Sequence, residues 1–147
     1  MTEQRYFLGS LTRISDLKDT PFEVQPLPRR QWRMGDYVAG EVTGPPSPAY
    51  RCELDSGRQV ELLPGDRMIG AFGKRAATLE GVGDWERIGP DNRHLDALTS
   101  AGLFGKVTSA SPLVPRFMSL DYLGHVMRQG TKLTMDDFVR TVPEIVE

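Results

Sequence analysis

Gly70, Gly73, Lys74 and Arg75 fall within LPGDRMIGAFGKRAAT, residues 63–78. Glycines followed by paired cations are residue types that hold phosphate: backbone amides wrap the oxygens and the side chains neutralise them. A Walker loop requires G-x-x-x-x-G-K-[ST], in which the hydroxyl binds magnesium. Here only two residues separate Gly70 from Gly73, and Arg75 stands where Ser or Thr belongs, so that assignment fails. A looser anion site remains open. SAGLFGK, residues 100–106, has similar parts, and its convergence with the first segment would set Lys74, Arg75 and Lys106 around a phosphate or carboxylate, with Gly73 and Gly105 beside them. The competing reading is structural. In it Phe72 and Phe104 point inward, and the glycines relieve crowding at barrel corners.

Other chemistry finds less support. Asp91, His94 and Asp96 are close in sequence and His125 is distant, but the tight repeated spacing of a zinc site is missing, so no metal is expected. Asp91 and Asn92 read as a turn, and His125 as a strand residue with one hydrogen bond. G-x-S-x-G is absent, and Asp136 and Asp137 would point to different sides of a helix. Cys52 alternates with Tyr50 and Leu54 on an inward strand face, where it serves as a small hydrophobe rather than a nucleophile. Arg29, Arg30 and Arg33 surround Trp32, a combination that suits single-stranded nucleic acid. The preferred alternative is a solvated lead-in whose Trp32 lies on the barrel surface.

Composition narrows the class. The 147 residues carry 39% hydrophobic and 26% charged side chains, ordinary for a globular protein of one domain or one domain with an appendage. A chain of this length buries roughly 70% of its unfolded surface and needs neither disulfide nor metal to hold a core. The 18 basic and 20 acidic residues, net charge −2, give no field to attract nucleic acid or an anionic membrane. No apolar run approaches the roughly 20 residues of a membrane helix. The N-terminal residues do not read as a secretory signal, and the single cysteine suits a reducing cytoplasm. Neither a nucleic acid, a membrane nor a cofactor is expected as a partner.

The elements that must position these residues are short. Fifteen glycines and 11 prolines separate brief apolar segments, the pattern of a mainly β chain. The expected architecture is a small closed or partly open β-barrel of short strands with one or two short helices. Residues 1–33 form an extended N-terminal arm, 34–134 the β-barrel domain, and 135–147 a C-terminal short helix and tail. Tyr37–Thr43 reads as a strand, and YRCELDSGRQVELL as a hairpin turned at Gly57. GDYVAG and GDRMIG repeat a Gly-Asp turn ahead of a strand, whereas GDWERIG stretches the spacing. HLDALTSA, His94 to Ala101, is expected to be a short helix closed by Gly102. LFGKVTSAS returns as a strand, PLVPRF as a proline-strapped edge, and GHVMRQGTKLTM as a hairpin turned at Gln129-Gly130. Thr134 caps a last helix with Asp136 and Asp137 in its first turn.

Together GDYVAGEV, LPGDRMIGAFGKRAAT and GTKLTMDDFV resemble the small N-terminal β-domain that precedes a P-loop nucleotide-binding domain in some bacterial proteins. The resemblance covers about Gly35 to Val139 and implies an accessory domain, with ATP chemistry in a following segment. It carries no catalytic residue across. The expected function is therefore a non-catalytic module that binds a partner protein, itself or a neighbouring nucleotide-binding catalytic domain. The alternative is a small enzyme or ligand-binding protein with an anion pocket at the GAFGKR and SAGLFGK loops.

Overall fold

The structure, a computed structural model, describes residues 6–43, 51–75, 81–89, 93–110 and 117–139. The strands in chain order are β1 (Phe7–Leu8), β2 (Glu23–Gln25), β3 (Tyr37–Thr43), β4 (Arg51–Glu53), β5 (Gln59–Glu61) and β6 (Arg67–Phe72). Then follow β7 (Lys74–Arg75), β8 (Gly81–Asp84), β9 (His94–Ala97), β10 (Leu103–Ala110), β11 (Met118–Arg128) and β12 (Thr131–Lys132). One short α-helix among the described residues, α1 (Met135–Val139), follows β12.

Hydrogen bonds run from β3 to β6, to β10, to β9, to β11 and back to β3. That ring makes the sheet partly barrel-like and the chain mainly β, as its turn-rich composition implies. β1 runs parallel to β6 on the edge that β10 continues. β8 and β7 extend the sheet beyond β10, while β2 and β12 pair with β11.

Strand parity divides the apolar side chains into two clusters. Val38, Val42, Met68 and Phe72 point into the ring with Leu95, Phe104 and Leu120. Tyr37, Ala39, Ile69 and Ala71 point outward, where Leu8, Leu11, Leu17, Phe22 and Phe138 pack over them. β3 and β6 are thus covered on both faces, which accounts for their almost unbroken apolar character.

The Gly-Asp repeat has a structural counterpart. Gly35 and Gly65 adopt φ of 87° and 96°, dihedrals that a side chain would strain. Each following aspartate accepts the amide three residues back at 2.8 Å, Arg33 N–H for Asp36 and Leu63 N–H for Asp66. The two strands then pair antiparallel about Ala39 and Ile69. Gly35 N–H donates to the Phe72 carbonyl and Gly65 N–H to the Val42 carbonyl, both at 2.9 Å. The two units are therefore related by a local pseudo-twofold. Gly83-Asp84 does not join them, since Asp84 accepts the Glu86 amide ahead of it.

Several local expectations agree with the structure. β3 spans Tyr37–Thr43, β4 and β5 form the hairpin with Gly57 at φ 91°, and Gln129 and Gly130 turn the second hairpin at positive φ. Asp136 and Asp137 lie in the first turn of the last helix, but the Thr134 amide and hydroxyl both donate to Asp137 Oδ2, at 2.9 and 3.4 Å, in place of the expected hydroxyl cap. Tyr50, Ala76–Thr78, Asp91, Asn92 and most of PLVPRF lie outside the described residues.

Two expectations are corrected. His94–Ala97 is β9, held between β10 and β11, and not a helix. Leu95 and Ala97 enter the inner cluster while His94 and Asp96 face away, so the stretch follows period two. Pairing on both edges outweighs the weak helical preference of so short a segment. Gly102 does adopt φ 104°, closing a turn instead of a helix. Trp32, expected on the barrel surface, is fully buried. A 3-10 turn at Arg29–Gln31 folds the lead-in back, and the indole lies 4.9 Å from the Phe72 ring and 4.4 Å from the Tyr122 ring, centroid to centroid.

Candidate functional site

The two cationic segments meet through β8. Lys74 on β7 and Lys106 on β10 both lie opposite Asp84 in register. Directly opposed residues project to one face, so the lysines flank a carboxylate. Lys74 Nζ is 3.9 Å from Asp84 Oδ2, with 52% of the lysine side chain exposed. Arg75 does not join them. Its Nη1 donates to the Leu98 carbonyl at 2.6 Å. Gly73 N–H donates to the Phe104 carbonyl at 3.1 Å, so that amide serves the sheet. A Cβ on Gly105 would lie 2.9 Å from Asp84 C and Trp85 N, a close backbone approach that accounts for glycine there. Phe72 and Phe104 are both buried.

The residues weighed as metal ligands go to different places. His94 Nδ1 meets Asp121 Oδ1 at 2.9 Å on the outside. Asp96 accepts the Val107 amide at 2.9 Å beside a β-bulge. His125 lies inside. Among the described residues no three His, Cys, Asp or Glu side chains converge. Cys52 is buried, and burial, aided by the charges of Glu53 and Asp55, pushes its thiol up to about 12. Arg29 and Arg33, beside Trp32 in sequence, and Arg93, beside it in space, have protein partners. Arg29 lies over the Trp32 and Trp85 rings and donates to the Ile88 and Glu86 carbonyls. Arg93 lies over Trp32 and Tyr122 and donates to the Leu27 carbonyl.

A buried polar chain not anticipated from the sequence lies beside Trp32. Tyr122 Oη is 2.6 Å from His125 Nδ1, and His125 Nε2 is 2.8 Å from Asp36 Oδ2. The same carboxylate oxygen accepts from Lys132 Nζ at 3.0 Å and from the Arg33 amide. The Leu27 amide donates to Tyr122 Oη at 3.0 Å. Asp36 Oδ2 is the acceptor for His125 Nε2–H, and the Leu27 amide that donates to Tyr122 Oη leaves the phenolic proton to face His125 Nδ1. Hydroxyl, imidazole and carboxylate follow the order of an acid–base relay. Little of it meets solvent, however, since His125 and Asp36 are fully buried and Tyr122 is 9% exposed. Burial also pushes the Tyr122 phenol up to about 12, which keeps its proton in place.

A β-bulge makes this chain possible. β11 shifts register against β3 between Tyr122 and Gly124, so residues three apart come to share the inner face. Gly124, an isolated glycine in an apolar strand, is the sequence signal that marks it.

One open feature among the described residues is a cleft of about 800 Å³ between residues 17–24 and the outside of the barrel. Tyr6, Leu17, Phe22, Val24 and Leu123 give it apolar walls, and Lys18, Asp19 and Arg67 add charge. No helix among the described residues is long and apolar enough to cross a membrane. Comparison with known proteins finds no matching family model, curated protein or solved structure.

Proposed function

We propose that the chain is a non-catalytic β-barrel accessory module that binds a partner protein, a second copy of itself or a neighbouring nucleotide-binding catalytic domain. The observation that supports this reading is the sealing of Tyr122, His125 and Asp36. A general acid or base must come within hydrogen-bond reach of its substrate, and these buried groups bond chiefly to one another, to the Leu27 and Arg33 amides and to Lys132, while Asp36 Oδ1 is buried without a partner. The same network joins the lead-in, β3, β11 and β12, the work of a scaffold. In this reading the module acts in the cytoplasm, where its buried cysteine stays reduced.

A second reading, an anion site, draws on the placement of Lys74 and Lys106 on either side of Asp84. Sedimentation across a wide concentration range, with a parallel thermal-shift screen of nucleotides, phosphates and carboxylic acids, separates the two. Mass that rises with concentration, with no response to anions, supports the module. An anion at a hundred times its Kd adds about 2.7 kcal/mol of stability. A monomer stabilised to that degree by phosphate, with the effect lost in Lys74→Ala/Lys106→Ala, establishes the anion site and sinks the module.

A further inference from the structure

We propose that the Tyr122–His125–Asp36 chain is an acid-sensitive latch: one proton taken up at His125 breaks it and lets residues 27–33 of the lead-in open from the barrel. This role goes beyond that of a scaffold and does not depend on the module's partner.

The chain holds the lead-in at both ends. The Leu27 amide donates to Tyr122 Oη at 3.0 Å, and the Arg33 amide donates to Asp36 Oδ2 at 2.8 Å. Between them the buried Trp32 ring lies 5.9 Å from the His125 ring, centroid to centroid. Lys132 Nζ donates to both the Gln31 carbonyl and Asp36 Oδ2.

Donors and acceptors alternate along the chain only while His125 Nδ1 is bare. A proton there sets N–H against the phenolic O–H across 2.6 Å. The Leu27 carbonyl offers the phenol no second acceptor, because it already accepts from Trp32 Nε1 at 3.0 Å and Arg93 Nη1 at 3.3 Å. A buried hydroxyl proton is then left unbonded.

Charge opposes the proton as well. Among the described residues Asp36, just before β3, is the one carboxylate bonded to the chain, and Lys132 on β12 already balances it. Arg29 in the lead-in and Arg93 ahead of β9 lie over the Trp32 ring and add positive charge. β2 and β3 place Gln25 and Val38 opposite His125, and β6 brings Phe72 against its ring, none of them charged. A buried imidazolium would be an unbalanced charge. Once the lead-in opens, water solvates the ring, and a solvated histidine takes up its proton below about pH 6.5. The closed form is therefore fully favoured above that pH and loses ground as pH falls. One linked proton shifts the opening equilibrium by up to about tenfold per pH unit.

Amide hydrogen exchange of the full chain tests this between about pH 7.5 and about pH 5, above the range in which free carboxylates titrate. Opening constants from the Leu27 and Arg33 amides should rise about tenfold per pH unit below about pH 6.5. The Val42 and Leu98 amides, bonded to Asp66 and Leu103, should not follow. Imidazole nitrogen spectra should show a bare Nδ1 in the closed form at every pH. His94→Gln, which removes the outer histidine paired with Asp121, should leave the response intact, and His125→Gln should abolish it. A flat response, one shared by all four amides, one lost in His94→Gln or one kept in His125→Gln would overturn the proposal. So would titration of His125 while Leu27 and Arg33 stay protected. If His125→Gln fails to fold, the nitrogen spectra of the native chain decide.

Discussion

Tyr122 and His125 are three residues apart on one strand, yet their side chains meet at 2.6 Å inside the barrel. Regular pleating would send them to opposite faces. The bulge between Tyr122 and Gly124 restores the parity, and Asp36 completes the chain from the start of β3. The cost of disturbing this chain should depend on which member is removed. His125→Leu leaves a buried carboxylate and a phenol without their shared partner and should destabilise by about 3–5 kcal/mol. Tyr122→Phe, which loses one hydroxyl, should cost about 1–2 kcal/mol. Urea denaturation of both variants decides this, and equal small losses would mean that the chain contributes little.

The pseudo-twofold offers an internal control. Asp36 and Asp66 occupy equivalent turns, but Asp36 is fully buried and also bonds His125 and Lys132. Asp36→Asn should therefore cost about 3 kcal/mol or more, and Asp66→Asn about 1 kcal/mol. Similar melting temperatures for the two variants would show that the turn bond alone accounts for both.

Alkaline pH should unfold the protein through buried acids. Burial raises the Cys52 thiol from 9.0 to about 12, and the Tyr37 and Tyr122 phenols from 10.0 to about 12. Between these limits the unfolded chain has lost protons that the native chain keeps, so unfolding releases protons. The stabilisation is complete below pH 9 and declines as pH rises toward 12. Urea midpoints followed through that window should fall, and Cys52→Ala should delay the onset toward pH 10. Labelling of native Cys52 at the rate of a free thiol would contradict the burial on which this rests.

Charge and packing should separate at the GAFGKR segment. Phe72 is buried against Trp32 and Trp85, and Phe72→Ala should cost about 3–5 kcal/mol. Lys74→Ala removes an exposed pair and should cost less than about 0.5 kcal/mol. Arg75→Ala, which loses the bond to Leu98, should fall between them. Calorimetric melting of the three variants tests the order.

Gly57 tests the hairpin turn. Nothing lies within 4 Å of a Cβ placed there, but φ is 91°. Gly57→Ala should therefore destabilise by about 1 kcal/mol from backbone strain alone. An unchanged midpoint would refute the turn geometry.

Local periodicity determined much of the architecture. Alternation in RCELDSGRQVELL sufficed for the hairpin and for burial of Cys52, because a period of two leaves one face wet and the other dry. Paired Gly-Asp turns announced β3 and β6, because positive φ admits few residues besides glycine. HLDA alternates in the same way, but four residues are too few to separate a strand from a helix until β10 and β11 bond both its edges. Other features depend on distance in space. Trp32 reads as a surface residue among arginines until the chain folds it against Phe72 and Tyr122. Lys74 and Lys106 come to flank Asp84 only because β8 inserts between their strands. The polar chain needs a bulge that reverses parity and a carboxylate 89 residues away from its histidine. Residue spacing records local dihedrals and faces, whereas contacts between remote segments arise only when the ring of strands closes and water is expelled from its interior.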